Sequence, residues 1–157
     1  MSRLPLEGIR VVDLCVVFSA PFATWLLAGM GAEVIKIDSI HHHPDQGRFF
    51  NIWPTPEMLE SLGGTTLPNR KPGEKPWNRN AIFTRIGWNK LSCCIDLTRP
   101  PGKEVFKRLI GVSDVFIENN SANVMEQLGL SHEVLMEVNP RLICINMPSY
   151  GRTGPNA

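Results

Sequence analysis

The stretch at residues 9–38, "IRVVDLCVVFSAPFATWLLAGMGAEVIKID", decides the fold. Its opening run, "IRVVDLC", is apolar and rich in β-branched residues, which is typical of a buried strand, and "EVIKID" is a second such run. Between them, "PFATWLLAGM" predicts a helix that begins at Pro21 and is capped by Gly31. A strand, a helix and a strand in this order predict a right-handed unit with a parallel strand pair.

The same alternation returns after Asn89. "KLSCCIDL", "DVFIEN" and "RLICINM" read as strands, and "PPGKEVFKRLIGV", "NVMEQLGL" and "HEVLMEVN" read as helices. In the first of these helices, Val105, Phe106, Leu109 and Ile110 are predicted to face inward. Strands that alternate with helices indicate an α/β fold, an open and mostly parallel Rossmann-like sheet flanked by helices.

Residues 39–88 interrupt this alternation with a long, basic insertion that is rich in proline and glycine. Six of the 13 prolines fall there, and only "PEMLESLG" has a helical pattern. Between residues 70 and 90, Glu74 stands alone against the cations Arg70, Lys71, Lys75, Arg79, Arg85 and Lys90. These cations predict either an ordinary solvated loop or a rim that attracts a polyanionic small molecule, with Trp77 and Trp88 available to stack on a flat base.

The bulk composition excludes several classes of protein. The chain has 157 residues, 43% of them hydrophobic, which suits one globular domain with a substantial core. A net charge of +1 gives no overall attraction to nucleic acid or to a membrane surface. No signal peptide or membrane span is evident, and four cysteines without a C-x-x-C pair predict buried free thiols. We therefore expect a cytoplasmic protein.

Ligands of parallel α/β sheets bind beyond the carboxyl ends of the strands, so the strand exits are the candidate positions. They are residues 15–21, Asp38 onward, residues 118–120 and the final "MPSYGRTGP". The first exit lacks both G-x-G-x-x-G and the P-loop pattern, which counts against a dinucleotide-dependent oxidoreductase. The helix N-terminus there predicts either plain packing or an anion site.

Other polar residues support less specific predictions. Asp13, Asp38, Asp96 and Glu118 are available for acid–base chemistry. Asp13 and Asp96 lie in or beside apolar runs, where buried hydrogen-bonding roles are at least equally expected. The tract His41–His43 predicts a solvated turn rather than a metal site, because three adjacent histidines cannot all face one ion on a regular element.

Six segments in register resemble the family III CoA-transferases, the CaiB/BaiF group that includes formyl-CoA:oxalate and carnitine CoA-transferases and the α-methylacyl-CoA racemases. The segments are "LEGIRVVDL", "APFATWLLAGMGAEVIKID", "NKLSCCIDLTRPPGKEVFKRLI", "SDVFIEN", "VMEQLGL" and "NPRLICINMPSYGRTGP". The resemblance implies an acyl-CoA site, with CoA as a substrate and without a resident cofactor. It places the following residues in that site: Val17, Phe18, Ala20, Pro21, Asn89, Lys90, Asn119 and Asn120.

Three features depart from the family pattern. Asn120 stands where Phe is customary after E-N, Gln127 stands where many members carry Arg, and the insertion is longer and more proline-rich. The preferred substrate is therefore open.

The resemblance further implies that the catalytic aspartate follows the G-x-T-G-P loop, beyond Ala157, where it attacks the acyl-CoA thioester. We therefore expect residues 1–157 to be an incomplete N-terminal CoA-binding α/β domain, with the catalytic region and second domain absent. Such a chain would bind CoA at most and would be inactive alone. Its implied partners are acyl-CoA, a carboxylic acid, and a second copy in an interlocked homodimer or another chain that carries the missing part.

Two alternatives stay open at this point. One is an acyl-CoA racemase as the parent protein, in which a histidine and an aspartate exchange the α-proton. The other is a non-catalytic truncated remnant.

Overall fold

The computed structural model describes residues 3–39, 55–61 and 66–155. Five strands form one parallel sheet in the order β3-β2-β1-β4-β5, which confirms the predicted α/β fold. The strands are β1 (Arg10–Leu14), β2 (Glu33–Asp38), β3 (Lys90–Cys94), β4 (Val115–Glu118) and β5 (Ile143–Asn146). β1 lies at the centre, where Val11 pairs with Val34 on one side and with Val115 on the other.

Helices cover both faces of the sheet. They are α1 (Ser19–Gly29), α2 (Pro56–Glu60), α3 (Ala81–Gly87), α4 (Pro100–Ile110), α5 (Val124–Gln127) and α6 (His132–Val138), with short 3₁₀ turns at Pro68–Arg70 and Pro76–Asn78. Alternate residues of each strand face opposite layers. Val11 and Val34 therefore pack with α1, whereas Val12 and Phe116 pack with α4 and α6.

The helix α4 shows how local sequence sets the packing. Its apolar positions recur at helical spacing, and Phe106 and Ile110 are completely buried, with Phe106 edge-on to Phe116. The prediction that Val105 faces inward is wrong, because that side chain is 41% exposed on the flank of the helix.

Two glycines are required by close approaches. A Cβ on Gly102, in the first turn of α4, would lie 2.0 Å from the backbone oxygen of Asp96. Gly31 has a φ of +102°, and a Cβ there would lie 2.6 Å from Cβ of Leu4. Both glycines let a helix end pack directly against a neighbouring loop.

Several element predictions need correction. The helix α1 begins at Ser19, so Pro21 is its third residue, where a missing N–H is still harmless. The strand β3 ends at Cys94 instead of continuing through "IDL", and α3 falls inside the insertion that was predicted to be loops. The N-cap of α3 is Asn80, whose Oδ1 accepts hydrogen bonds from the amides of Ile82 and Phe83.

All four cysteines are free thiols. Cys15 is buried, and Cys93 and Cys144 are half-buried. Cys94, the last residue of the edge strand β3, is exposed. The prediction of buried thiols is therefore wrong for Cys94.

Candidate functional site

A cleft of about 230 Å³ lies at the carboxyl ends of β1, β2 and β3, where the strand-exit rule places ligands. The exit of β4 and the helix α5 close its remaining sides. Its walls are formed by Leu14, Cys15, Val16, Lys36, Ile37, Asp38, Ser39, Ile95, Asp96, Leu97, Thr98, Asn120, Val124 and Leu128. The cleft thus has apolar walls with a few polar groups at fixed positions, a common design of small-molecule sites.

Lys36 supplies the cleft with an ammonium group at the exit of β2. The residue is only 9% exposed, and its Nζ donates to the carbonyl oxygen of Cys15. Asp38 Oδ1 lies 3.8 Å from the same Nζ. The buried cation therefore has both a hydrogen bond and an opposite charge beside it, as a buried charge requires.

The turn between β1 and α1 forms one wall of the cleft. Val17 has a φ of 65°, which is unusual for a β-branched residue. The side-chain amide of Asn119 accepts a hydrogen bond from the Val16 amide at 2.7 Å and donates to the Val16 carbonyl at 2.8 Å. Val17 and Phe18 are 49% and 45% exposed, so the turn presents apolar side chains outward.

A buried ion pair lies beneath α1. The Nζ of Lys90 is 2.9 Å from Oδ2 of Asp13, and the two side chains are 3% and 0% exposed. The same Nζ also donates to the carbonyl of Pro21 at 2.9 Å and to Oγ1 of Thr24 at 2.7 Å. Lys90 is therefore held by three protein oxygens on the α1 side of the sheet.

The Asn89 side chain forms a hydrogen bond at the C-terminal end of α1. Its Nδ2 donates to the carbonyl of Ala28 at 2.8 Å, and its φ is 60°. Asn89 and Lys90 together tie the start of β3 to both ends of α1.

A buried carboxylate stands at the exit of β4. Glu118 is 4% exposed and accepts from the backbone amide of Asn120 at 2.7 Å and from its Nδ2 at 3.0 Å. The side-chain amide of Asn146 donates to the other carboxylate oxygen. Asn120 therefore reaches the cleft in a fixed orientation. Beyond it, a polar pocket of about 230 Å³ lies between residues 119–122 and 148–151.

The thiol of Cys15 is the group with the clearest shift in acidity. Burial raises its pKa well above the ordinary value of 9.0, and the negative charge of Asp13 raises the pKa further. Its Sγ donates to the carbonyl of Ile117 at 3.2 Å. The thiol is therefore a protonated, packed group at neutral pH rather than a nucleophile.

The structure divides the eight predicted site residues into three groups. Asn120 lines the cleft, and Asn119 lies in the polar pocket and holds the adjacent turn. Ala20 and Pro21 are buried in the first turn of α1, and Val17 and Phe18 are exposed beside them. Asn89 and Lys90 lie behind the turn, in contact with α1. Contact of these residues with CoA stays a prediction.

Two cations of the predicted basic rim have partners within the chain. Arg70 donates to the carbonyls of Leu59 and Glu60, and Arg85 lies 5.4 Å above the ring centres of Phe22 and Trp25. Trp88 is 58% exposed. The tract His41–His43 falls outside the described residues, and within them no three His, Cys, Asp or Glu side chains are grouped to hold a metal ion.

Sequence reasoning missed the exit of β3. Residues 95–98 follow that strand and form a large part of the cleft wall, together with Lys36, Val124 and Leu128. The strand-exit rule would have found residues 95–98 if β3 had been ended at Cys94. No helix in the described part of the chain has the length and apolar character needed to cross a membrane.

Comparison with known proteins agrees with this architecture. The sequence profile described as CoA-transferase family III matches residues 6–157. The beta subunit of succinyl-CoA–L-malate CoA-transferase from Chloroflexus aurantiacus is 38% identical over 98% of this chain and 33% of its own. Succinate–glutarate CoA-transferase from Agrobacterium fabrum is 35% identical over 98% of this chain and 34% of its own.

Solved structures give the same result. A CaiB/BaiF family protein from Brucella suis superimposes with a TM-score of 0.76 and 29% identity, over 98% of this chain and 36% of its own. The chain thus spans about a third of the length of the curated relatives that it matches.

Proposed function

Because the chain belongs to CoA-transferase family III, we propose that it provides the acyl-CoA-binding part of an enzyme that moves CoA between carboxylic acids. The observation that carries the proposal is the cleft at the carboxyl ends of β1, β2 and β3, which lies where α/β sheets bind ligands. The curated relatives given above are CoA-transferases by name, which favours transfer over racemisation.

The cleft suits one part of a CoA molecule rather than all of it. Its 230 Å³ is below the range of about 300–1,000 Å³ that encloses a drug-sized ligand. The apolar side chains of Ile95, Leu97 and Leu128 suit a flat adenine ring, and Lys36 and Asn120 offer polar groups to the ribose and phosphates. The rest of the ligand would extend past the β1–α1 turn.

The names of the relatives support a substrate class. They act on succinyl-CoA with L-malate, and on succinate with glutarate. We therefore propose short dicarboxylic acids as the acyl group and the acceptor of the whole protein. The attacking carboxylate proposed for that reaction is the aspartate that the family resemblance implies after the loop at residues 151–155.

A partner chain is part of the same proposal. Two relatives are the alpha and beta subunits of one CoA-transferase. On the α1 side of the sheet, Ile143, Ile145 and Met147 of the edge strand and its exit are 59%, 40% and 36% exposed, an apolar row that a second chain would cover. Light scattering of the purified chain measures its molar mass. A homodimer would have twice the mass of one chain, whereas a chain that needs a different partner would remain a monomer. The predicted cytoplasmic location also stays a proposal.

The decisive experiment is isothermal titration of the protein with CoA, with NAD and pantetheine as comparison ligands. We expect CoA to bind and NAD not to bind. Val124→Trp, which places an indole in the cleft, should weaken CoA binding at least about ten-fold by occlusion.

The matched control is Val112→Trp, because Val112 is 62% exposed and outside the cleft. That variant should bind CoA like the unmodified protein. Absence of CoA binding by the unmodified protein, or equal affinity in both tryptophan variants, would contradict the proposed site.

A further inference from the structure

We propose that Asn119 is a positioning residue, whose side-chain amide holds the β1–α1 turn in the shape that the CoA cleft requires. The identity of the ligand rests on the proposed function, whereas the geometry around Asn119 does not depend on it. It assigns Asn119 a role through the backbone of Val16 and Val17 rather than through contact with CoA.

The conformation of Val17 requires an explanation. A φ of 65° places a β-branched side chain in the left-handed region, which is costly for such a residue. Such conformations persist only where the surroundings impose them, and they gather at ligand sites. The group that imposes this one must act on the peptide units next to Val17.

Asn119 meets that requirement. The pairing of β1 with β4 ends where Leu14 stands opposite Glu118. Beyond this point the Asn119 side chain replaces the missing strand partner, since it accepts from the Val16 amide at 2.7 Å and donates to the Val16 carbonyl at 2.8 Å. Both backbone polar groups of Val16, the residue that precedes the left-handed one, are thereby fixed.

The backbone that carries Asn119 is itself anchored. Glu118 accepts from the Asn120 amide at 2.7 Å, and its carbonyl accepts from the Met147 amide at 2.9 Å. The two peptide units that flank Asn119 are therefore both fixed by hydrogen bonds, and they hold its side-chain amide in place. Only a side chain with both a donor and an acceptor at this length can make the two bonds, and aspartate or leucine cannot.

The turn matters to the cleft because Val16 is part of its wall. Asn120, the neighbour of Asn119, lines the same cleft from the opposite strand exit. If the turn relaxed to a conformation with negative φ at Val17, the wall at Val16 and the exposed Val17 and Phe18 would move together. CoA would then bind only the fraction of molecules with the turn in place.

A double-mutant cycle tests this mechanism. Asn119→Ala should weaken CoA affinity about ten-fold, a magnitude in line with one strained backbone conformation. In a Val17→Gly background the same change should weaken affinity less than about three-fold, because glycine adopts the left-handed region without steric cost. An equal loss in both backgrounds would overturn the positioning role.

Hydrogen exchange of the ligand-free protein gives a second and independent readout. The Val16 amide, which is bonded to Asn119 Oδ1, should exchange at least about ten-fold faster in Asn119→Ala. Unchanged exchange at Val16 overturns the proposal whatever CoA does. An unmodified protein that fails to bind CoA overturns the proposed function instead, and Val16 exchange still decides the positioning role.

Asn139→Ala is the matched control. Asn139 is also a buried amide with two backbone partners, the carbonyls of Ile110 at 3.1 Å and Ser113 at 2.7 Å, but it lies outside the cleft. Its loss should lower stability and leave both CoA affinity and Val16 exchange unchanged. If Asn119→Ala does not fold, Asn119→Asp removes only the donor to the Val16 carbonyl, and it should weaken affinity in the same direction.

Discussion

Removal of the Lys90 ammonium should destabilise the protein far more than its position on an edge strand suggests. Lys90→Met keeps most of the apolar stem and removes an Nζ that is bonded to Asp13, Pro21 and Thr24. Asp13, which is 0% exposed, would keep neutral partners such as the Thr24 hydroxyl at 2.6 Å and the Cys15 amide at 3.0 Å, but would lose its counter-charge. Breaking a buried ion pair from one side costs about 3–5 kcal/mol.

The free energy of unfolding, measured by urea titration with circular dichroism at neutral pH, should fall by that amount. The double variant Asp13→Asn/Lys90→Met removes both charges, so it should recover about 2 kcal/mol relative to the single variant. Lys107→Met is the control, because Lys107 pairs with Glu104 at the surface and should contribute less than about 1 kcal/mol. A loss below about 1 kcal/mol for Lys90→Met would refute the reasoning.

Three further predictions concern packing, pH and thiol reactivity. Gly102→Ala should lower the free energy of unfolding by about 3 kcal/mol or more, because the new Cβ would lie 2.0 Å from the Asp96 carbonyl oxygen. Gly87→Ala is the control for thermal unfolding. Its new Cβ would have no atom within 4 Å, so this variant should be neutral or slightly stabilising. Burial holds the pKa of Cys15 well above 9.0, so the stability that this thiol contributes is complete below pH 9.0 and declines as the pH rises beyond it, when the unfolded state ionises first. Denaturant titrations across this pH range should show a weaker decline in stability for Cys15→Ala. At neutral pH a thiol reagent should modify the exposed Cys94 but not Cys15. Rapid labelling of Cys15 in the native protein would contradict its assignment as a buried, protonated thiol.

The sheet could be predicted because buried parallel strands are nearly continuous apolar runs. Val11, Val12 and Val34 lie in such runs, and each is at most 1% exposed. The sequence does not predict α3, although Asn80 is a good N-cap, because the surrounding prolines and glycines are typical of loops. Apolar patterning thus predicts the long helices and the strands, but not a short helix in a segment with the composition of a loop.

The candidate site was less predictable because its contacts are between residues distant in sequence. The family resemblance places Lys90 in the acyl-CoA site, but the sequence does not reveal that its Nζ is bonded to oxygens of β1 and α1. Nothing in the sequence signals the left-handed Val17, because valine is not expected in that conformation and the amide bonded to the neighbouring Val16 belongs to Asn119, after the end of β4. Such features depend on how the sheet brings strand ends together.

The order of the strands also determines when the protein can fold. β1 leaves the ribosome first among the strands, but one of its edges pairs with β4, so Val11 and Val12 must wait for Val115 and Phe116 to be synthesised. Until then the central strand of the sheet keeps an open edge, which invites association with other chains. Parallel pairings of this range are also slow to form. We therefore expect chaperone dependence during synthesis to end only once β4 has emerged.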